Sequence, residues 1–262
     1  MDSEFYKKTL YTTKASWILS EIFEYDIAKA NISILLEYGY ISPQEFNMYS
    51  QMNRINRQIA IGRLQQDKTY SSAISRGFEE SRRKLYEAND LNEDNIIAVK
   101  KDAVYTLKKL NITDFGAIHF TLRSKFRIFI SIMNLEIYFY WNEVTDEYDI
   151  QIKGINDDKL YYHQYMISSL CDILRYVQIG NIDEAIKSMF ELRIKYINKE
   201  LEPEYYREFN NESMFRINNS TYYVFDLTET EKLAYKELID CSFNNVFLTE
   251  LHGILVNMKF AR

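Results

Sequence analysis

The chain has 262 residues and a formal net charge of −6, with 22 tyrosines and 16 phenylalanines but only 7 glycines and 2 prolines. That length makes one large domain or two small ones, and so many aromatics with so few breakers exclude a disordered or loop-rich protein. The negative total excludes a globally basic nucleic-acid binder, although it leaves room for a local basic groove.

Cys171 and Cys241 stand far apart without metal-ligand spacing. They read as free thiols in a reducing cytoplasm, with a disulfide as the alternative. The first four residues, Met1 to Glu4, offer neither a basic nor an apolar leader region. No apolar run approaches the ~20 residues of a membrane span. A cytoplasmic protein without a membrane partner is expected, and the Asn, Ile, Lys and Tyr bias suggests an AT-rich genome such as a phage, with a bacterial or phage-infected host cytoplasm as its compartment.

Residues 1–16 are polar and read as peripheral. A hydrophobic lead-in (Trp17, Ile18, Leu19, Ile22, Phe23, Tyr25) with period two predicts a strand ending at Asp26. Ile27, Ala30, Ile34 and Leu35 then return at helical spacing, and Gly39 ends that short helix. An acid at the end of a buried strand, just before the chain turns, is a metal-site geometry: the strand fixes the carboxylate and the turn leaves one face open. Ser42-Pro-Gln-Glu45 is a capping box with proline at the first helical position, predicting a helix to about Gln66. Phe46, Tyr49, Met52, Ile55 and Ile59 would form its apolar face, with Arg54, Arg57 and Arg63 elsewhere.

A further helix is expected from about Ser72 to Ala88, with Ile74, Phe78 and Leu85 inward and Glu79, Glu80, Arg82, Arg83 and Lys84 outward. After the polar turn 89–95, residues 96–107 read as two apolar strands joined at Lys100-Lys101-Asp102. If this hairpin pairs beside the first strand, Asp26 and Asp102 share one sheet edge, and two carboxylates from separate segments are the minimum for two divalent cations. Strand-like runs follow at Phe115–Leu122, Lys125–Ile132, Leu135–Trp141 and Tyr148–Lys153. From Asp157 the pattern turns helical: one helix carries Leu160 to Val177 and ends at Gly180, and a second runs from Asp183 to Asn198. The aromatic stretch Pro203–Phe209 is expected to dock these helices, Thr228 with Glu231 caps a helix over 228–240, and an apolar element closes the chain. No internal repeat, Gly-rich phosphate loop or Ser-His-acid arrangement appears, and His119, His163 and His252 have no mutual spacing.

The segment from Asp26 to Leu35 resembles the first palm motif of family B DNA polymerases, Asp-x-x-Ser-Leu-Tyr-Pro-Ser-Ile. Asp26, Ser33 and Ile34 match in register and Ala30 stands at the Leu, whereas Lys29, Asn31 and Ile32 depart. The hairpin resembles that family's Asp-Thr-Asp-Ser motif, with Lys100, Lys101, Asp102 and Ala103 in the four places. Gln151-Ile-Lys-Gly-Ile155 is similar to the Val-Lys-Gly-Ile segment leading from palm to thumb. The resemblance covers residues 17–200 and keeps the family's order and spacing. In the family's lysine-bearing helix motif Arg57 falls at the Lys, but Ile61, Gly62 and Leu64 depart from Asn, Ser and Tyr. The lysine-rich signature before a Tyr is reduced to the Tyr, Tyr138.

The resemblance implies an α+β fold: an antiparallel palm-like sheet backed by helices over residues 1–155, with a short helical fingers insertion at about 36–70, then a mainly helical thumb over 156–262. It implies template-directed nucleotidyl transfer with two Mg²⁺ ions on Asp26, Asp102 and the Ile27 carbonyl. Arg54 and Arg57 would meet the phosphates of a dNTP, Asn31 would stand at the sugar, and Lys101, Lys125 and Lys153 would contact primer–template. Arg123 and Arg127 would extend that basic patch, and a charged edge strand explains them equally. Only 25 residues precede Asp26, so partner subunits are expected to supply exonuclease and template-binding functions. Taken singly, Asp26 reads as a helix cap, Asp102 as a turn residue and the arginines as a solvated helix face. The competing expectation is a degenerate palm serving as a scaffold or nucleic-acid-binding subunit of a phage replication complex.

Overall fold

The computed structural model describes residues 4–217, 220–222, 228, 230–231 and 236–261. It is an α+β protein in which every described strand pairing is antiparallel. Contacts divide the chain into two compact units, one of residues 1–14 and 21–125, the other of residues 15–20 and 126–262. The expected boundary at 155 falls inside the second of these.

The strands of the first unit are β1 (Leu10–Thr12), β2 (Trp17–Ile27), β3 (Ile96–Lys100), β4 (Ala103–Thr106), β5 (Asp114–Phe115) and the first part of β6 (Ile118–Ile132). With β7 (Leu135–Asn142) and β8 (Glu147–Lys153), the sheet order is β1-β3-β4-β2-β6-β7-β8, and β5 pairs β6. One strand, β6, replaces the two runs expected on either side of Arg123 and Ser124. No glycine or proline interrupts Ile118–Ile132, so the polar residues there do not end the ladder.

Four helices accompany the first unit: α1 (Ala30–Glu37), α2 (Pro43–Gln51), α3 (Arg54–Leu64) and α4 (Lys68–Asn89). The sheet core joins Phe23, Tyr25 and Ile27 of β2 to Val99, Val104, Ile34 of α1, and Leu85 and Tyr86 of α4. A smaller core joins Ile32 and Leu35, on the other side of α1, to Ile61 of α3 and Ala73 and Ile74 of α4. Helix α1 is therefore gripped on two sides, which fixes the turn just after Asp26. Gly77 makes that grip close: a Cβ there would lie 2.1 Å from Ile34 Cγ2.

Residues 42–66 form two helices rather than one. The Ser42–Glu45 capping box is present, with the Glu45 backbone N–H donating to Ser42 Oγ at 3.2 Å and the Ser42 N–H to Glu45 Oε2 at 2.7 Å. Met52 then turns extended, and Asn53 starts α3 by accepting from the Asn56 N–H at 2.9 Å. A side-chain amide that can cap a helix has broken the one it was read into. The break resets the helical phase, so Ile55 and Ile59, expected inward, are 69% and 51% exposed while Ile61 is buried.

In the second unit β8 pairs with β7 along its whole length, from Glu136 opposite Lys153 to Asn142 opposite Glu147. Helices α5 (Asp157–Leu160), α6 (Gln164–Gln178), α7 (Ile182–Ile197) and α8 (Ser242–Phe260) follow, with the short pair β9 (Phe215–Ile217) and β10 (Ser220–Tyr222) between α7 and α8. Ile130, Ile137, Phe139 and Ile152 share one core with Leu170, Leu174, Met189, Leu251 and Leu255. The aromatic stretch docks here: Tyr206 lies 4.8 Å from Tyr196 and Phe209 5.0 Å from Phe247, ring to ring. Gly154 adopts φ +104°, and a Cβ there would meet the Asn134 carbonyl oxygen at 2.3 Å, so local packing alone demands this glycine. Of the helix expected over 228–240, Thr228 and Glu231 make their capping contacts and Lys236–Leu238 form a 3-10 turn. Residues 229 and 232–235 of that stretch lie outside the described residues.

Candidate functional site

Asp26 and Asp102 come together in the first unit, by strand register. Asp26 pairs with Ala103 across β2 and β4, and Lys100 pairs with Ala103 across β3 and β4, so Lys101 and Asp102 form the turn beside the end of β2. Tyr105, two residues past that pair on β4, donates its hydroxyl to the buried Glu24 at 2.6 Å and ties the two strands together next to the acids.

The turn is held from outside the sheet. Lys101 adopts φ +60°, its N–H donates to the Thr9 carbonyl at 2.8 Å, and its carbonyl accepts from Arg82 Nη1 at 3.0 Å. Arg82 also donates from Nε to the Tyr6 carbonyl at 2.7 Å. Expected on the outer face of its helix, Arg82 is instead 2% exposed. Charge alone placed it outside, and the helical spacing of its apolar neighbours could not reveal that two backbone carbonyls would take up its guanidinium.

The two acids line a cleft of about 490 Å³ with Ile27, Lys29, Asn31, Arg54, Arg57, Ile61 and Arg123, a size typical of ligand sites. Of the residues that sequence reasoning nominated, Asp26, Ile27, Asn31, Arg54, Arg57 and Asp102 line it together. Lys101 and Lys125 are exposed and do not line it, and Lys153 ends β8 in the second unit. Lys29 was not nominated, and Arg123 was expected in a basic patch for primer–template or on a charged edge strand rather than beside the acids. Lys29, in the left-handed region at φ +52°, caps α1, so the first turn of that helix opens on the cleft. Helix α3 offers Arg54, Arg57, Gln58 and Ile61, the spacing of one helical face, with Gln65 just beyond its end. The three histidines lie elsewhere: His119 on Asp114, His163 on Ser213 and His252 beside Arg193.

Electrostatically the cleft is divided. Burial, and then the neighbouring Asp26 carboxylate, push the Asp102 carboxyl above the ordinary carboxylate range. Asp26 Oδ1 is buried without a hydrogen-bond partner among the described residues, and Oδ2 meets Arg123 Nη2 at 3.3 Å. Arg57 donates to the Met52 carbonyl at 3.1 Å, and neither it, Arg54 nor Lys29 is ion-paired among the described residues. A pair of crowded carboxylates therefore faces cations that have no acid of their own, across a space that admits a small molecule. An orphaned buried oxygen beside a second, half-buried carboxyl fits a divalent cation, whose charge would relieve both. The described residues hold no cluster of three or more His, Cys, Asp or Glu suited to a metal, so further ligands would be backbone, water or substrate oxygens.

No match was found among curated proteins. The family model for the Bacteriophage PBS1 gene 130 protein matches residues 1–257, and the chain belongs to that family.

Proposed function

We propose that this protein is a nucleotidyl transferase, a template-directed DNA polymerase with a family B-like palm that works with two Mg²⁺ ions and dNTPs on a primer–template. One observation carries the reading: two acids 76 positions apart in sequence line one cleft with the two α3 arginines that the same resemblance nominated for phosphate.

Asp26 and Asp102, with the Ile27 carbonyl, would hold the cations. Bound there, the cations supply charge neutralisation of the triphosphate and activation of the primer 3′-hydroxyl. Arg54 and Arg57 would take the outgoing β- and γ-phosphates, since a guanidinium offers a rigid fork of donors matched to phosphate oxygens. The first turn of α1, at Ala30 and Asn31, would add backbone N–H groups and the positive helix end. In the transfer, the hydroxyl oxygen bonds to the α-phosphorus, the bond to pyrophosphate breaks, and the proton leaves to solvent. Lys101, Lys125 and Lys153 would contact the nucleic-acid backbone, and partner subunits in a phage-infected cytoplasm would provide exonuclease and template grip.

Primer extension with Mg²⁺ tests this. The wild-type protein should add nucleotides, and Asp102→Asn should reduce the rate about a thousandfold, the several kcal/mol expected for losing a catalytic metal ligand. The second reading, a degenerate palm acting as scaffold, is favoured by Lys100 standing at an acid position of the motif and by Arg123 resting on Asp26. Duplex binding without incorporation by the wild-type protein would select it.

A further inference from the structure

Arg123 is the cleft residue whose place the acids do not explain. It sits on β6, where Thr121, two residues earlier on the same strand face, donates its hydroxyl to the Asp26 carbonyl at 3.2 Å. The Arg123 guanidinium meets only one Asp26 oxygen, Oδ2, at 3.3 Å. Its side chain is 59% exposed, against 23% for Asp26. An ion pair that open, made through a single long contact, costs little to release. Asp26 Oδ1 is buried and has no hydrogen-bond partner among the described residues, and Asp102 lines the same cleft beside it. The guanidinium thus neutralises half of a site that two acids build.

We propose that Arg123 is a displaceable counter-ion: it rests on Asp26, and a divalent cation arriving between the acids transfers it to the phosphate of an anionic ligand in the same cleft. This rests on reading the acid pair as a cation site. A guanidinium and a metal ion cannot both take full advantage of Oδ2, since each positive charge weakens the other's hold. Once released, Arg123 is still a cleft residue with five donors and an exposed arm that can turn toward phosphate. Cation and anion binding then favour each other, because the first frees a donor for the second. Without the cation the arm stays on Asp26 and the phosphate loses one of its ligands.

The test uses full-length protein, with Mn²⁺ as the metal probe counted by EPR and inorganic phosphate as the anion probe followed by ³¹P relaxation. Arg123→Gln should bind Mn²⁺ about threefold to fivefold more tightly than wild type, the measure of a lost exposed competitor. Arg54→Gln, which removes an equal charge from the same cleft without touching Asp26, should move Mn²⁺ affinity less. Mn²⁺ should strengthen phosphate binding in wild type, and that coupling should be clearly smaller in Arg123→Gln, where only the direct attraction between metal and phosphate is left. Equal Mn²⁺ affinities for Arg123→Gln and Arg54→Gln, or coupling as large in Arg123→Gln as in wild type, overturn the proposal, while the polymerase reading stands or falls separately on primer extension. Absence of Mn²⁺ binding that depends on Asp102 in both wild type and Arg123→Gln overturns the cation site itself.

Discussion

Asp102 is placed badly for stability. On the surface of a hairpin turn its carboxylate would be indifferent, but here it is half-buried against Asp26 and its carboxyl holds a proton more tightly than in the unfolded chain. Folding that binds a proton more tightly is favoured at low pH, and that contribution is lost as pH rises from the unfolded carboxyl pKa through the raised folded one. Asp102→Asn should therefore raise Tm at neutral pH and flatten the fall in stability above the ordinary carboxylate range. Millimolar Mg²⁺ should raise the Tm of wild type and not of the variant, as ligand linkage requires. Differential scanning calorimetry over pH 3–8 (roughly the range bracketing carboxylate titration) reads both effects. If the variant is less stable than wild type at neutral pH, Asp102 is a satisfied turn residue and the strained acid pair is not there.

At the scale of elements, the site depends on α1 lying close to α4. The buried Ile34 occupies the space that a Cβ at residue 77 would need. Gly77→Ala would gain about 1 kcal/mol of helix propensity, but overpacking a filled core costs roughly 1–3 kcal/mol. The overpacking should win, since Ile34 is β-branched and has little rotamer freedom inside a helix. We expect net destabilisation of about 1 kcal/mol by urea titration, together with weaker Mn²⁺ binding, because α1 begins three residues after the end of β2. A variant more stable than wild type would show that the two helices have room to part. The α2–α3 break has its own consequence for the site. It turns Arg54, Arg57 and Ile61 toward the cleft while leaving Ile55 and Ile59 exposed.

For the molecule as a whole, net charge and local charge point in opposite directions. The chain carries −6, yet the cleft collects Lys29, Arg54, Arg57 and Arg123 against two acids. A polyanion would be repelled by the total and held by the patch, so its binding should be short-ranged and strongly salt-dependent. If two or three of these cations neutralise phosphates, duplex affinity should fall about 10- to 40-fold between 50 and 200 mM salt. Fluorescence anisotropy with a labelled primer–template gives the slope, and a flat response would mean that the patch does not meet phosphate. The two units have separate cores, one built on β2, α1 and α4, the other on β7, β8 and helices α6 to α8. Neither core reaches a membrane-spanning design: among the described residues no helix is long and apolar enough to cross a bilayer.

What the sequence determined by itself was local. Alternation ending at Asp26, helical spacing after it, the Ser42 capping box and the charged tip at Lys100–Asp102 each depend on neighbours within a few positions, and these elements stand where the pattern put them. The family resemblance also nominated Asp26, Asp102, Arg54 and Arg57, because a resemblance in order is still a property of the chain. Only the tertiary structure decided what depends on distant partners. Arg82 went inside because the carbonyls of Tyr6 and Lys101, 76 and 19 positions away, were there to receive it. Arg123 joined the acids because a strand begun at Ile118 runs beside one ended at Ile27, a pairing that no periodicity along either strand encodes. Hydrophobic pattern reports which face of an element is buried, whereas the partner of a buried or half-buried charge is set by the register between elements, and register is settled only when the whole sheet closes.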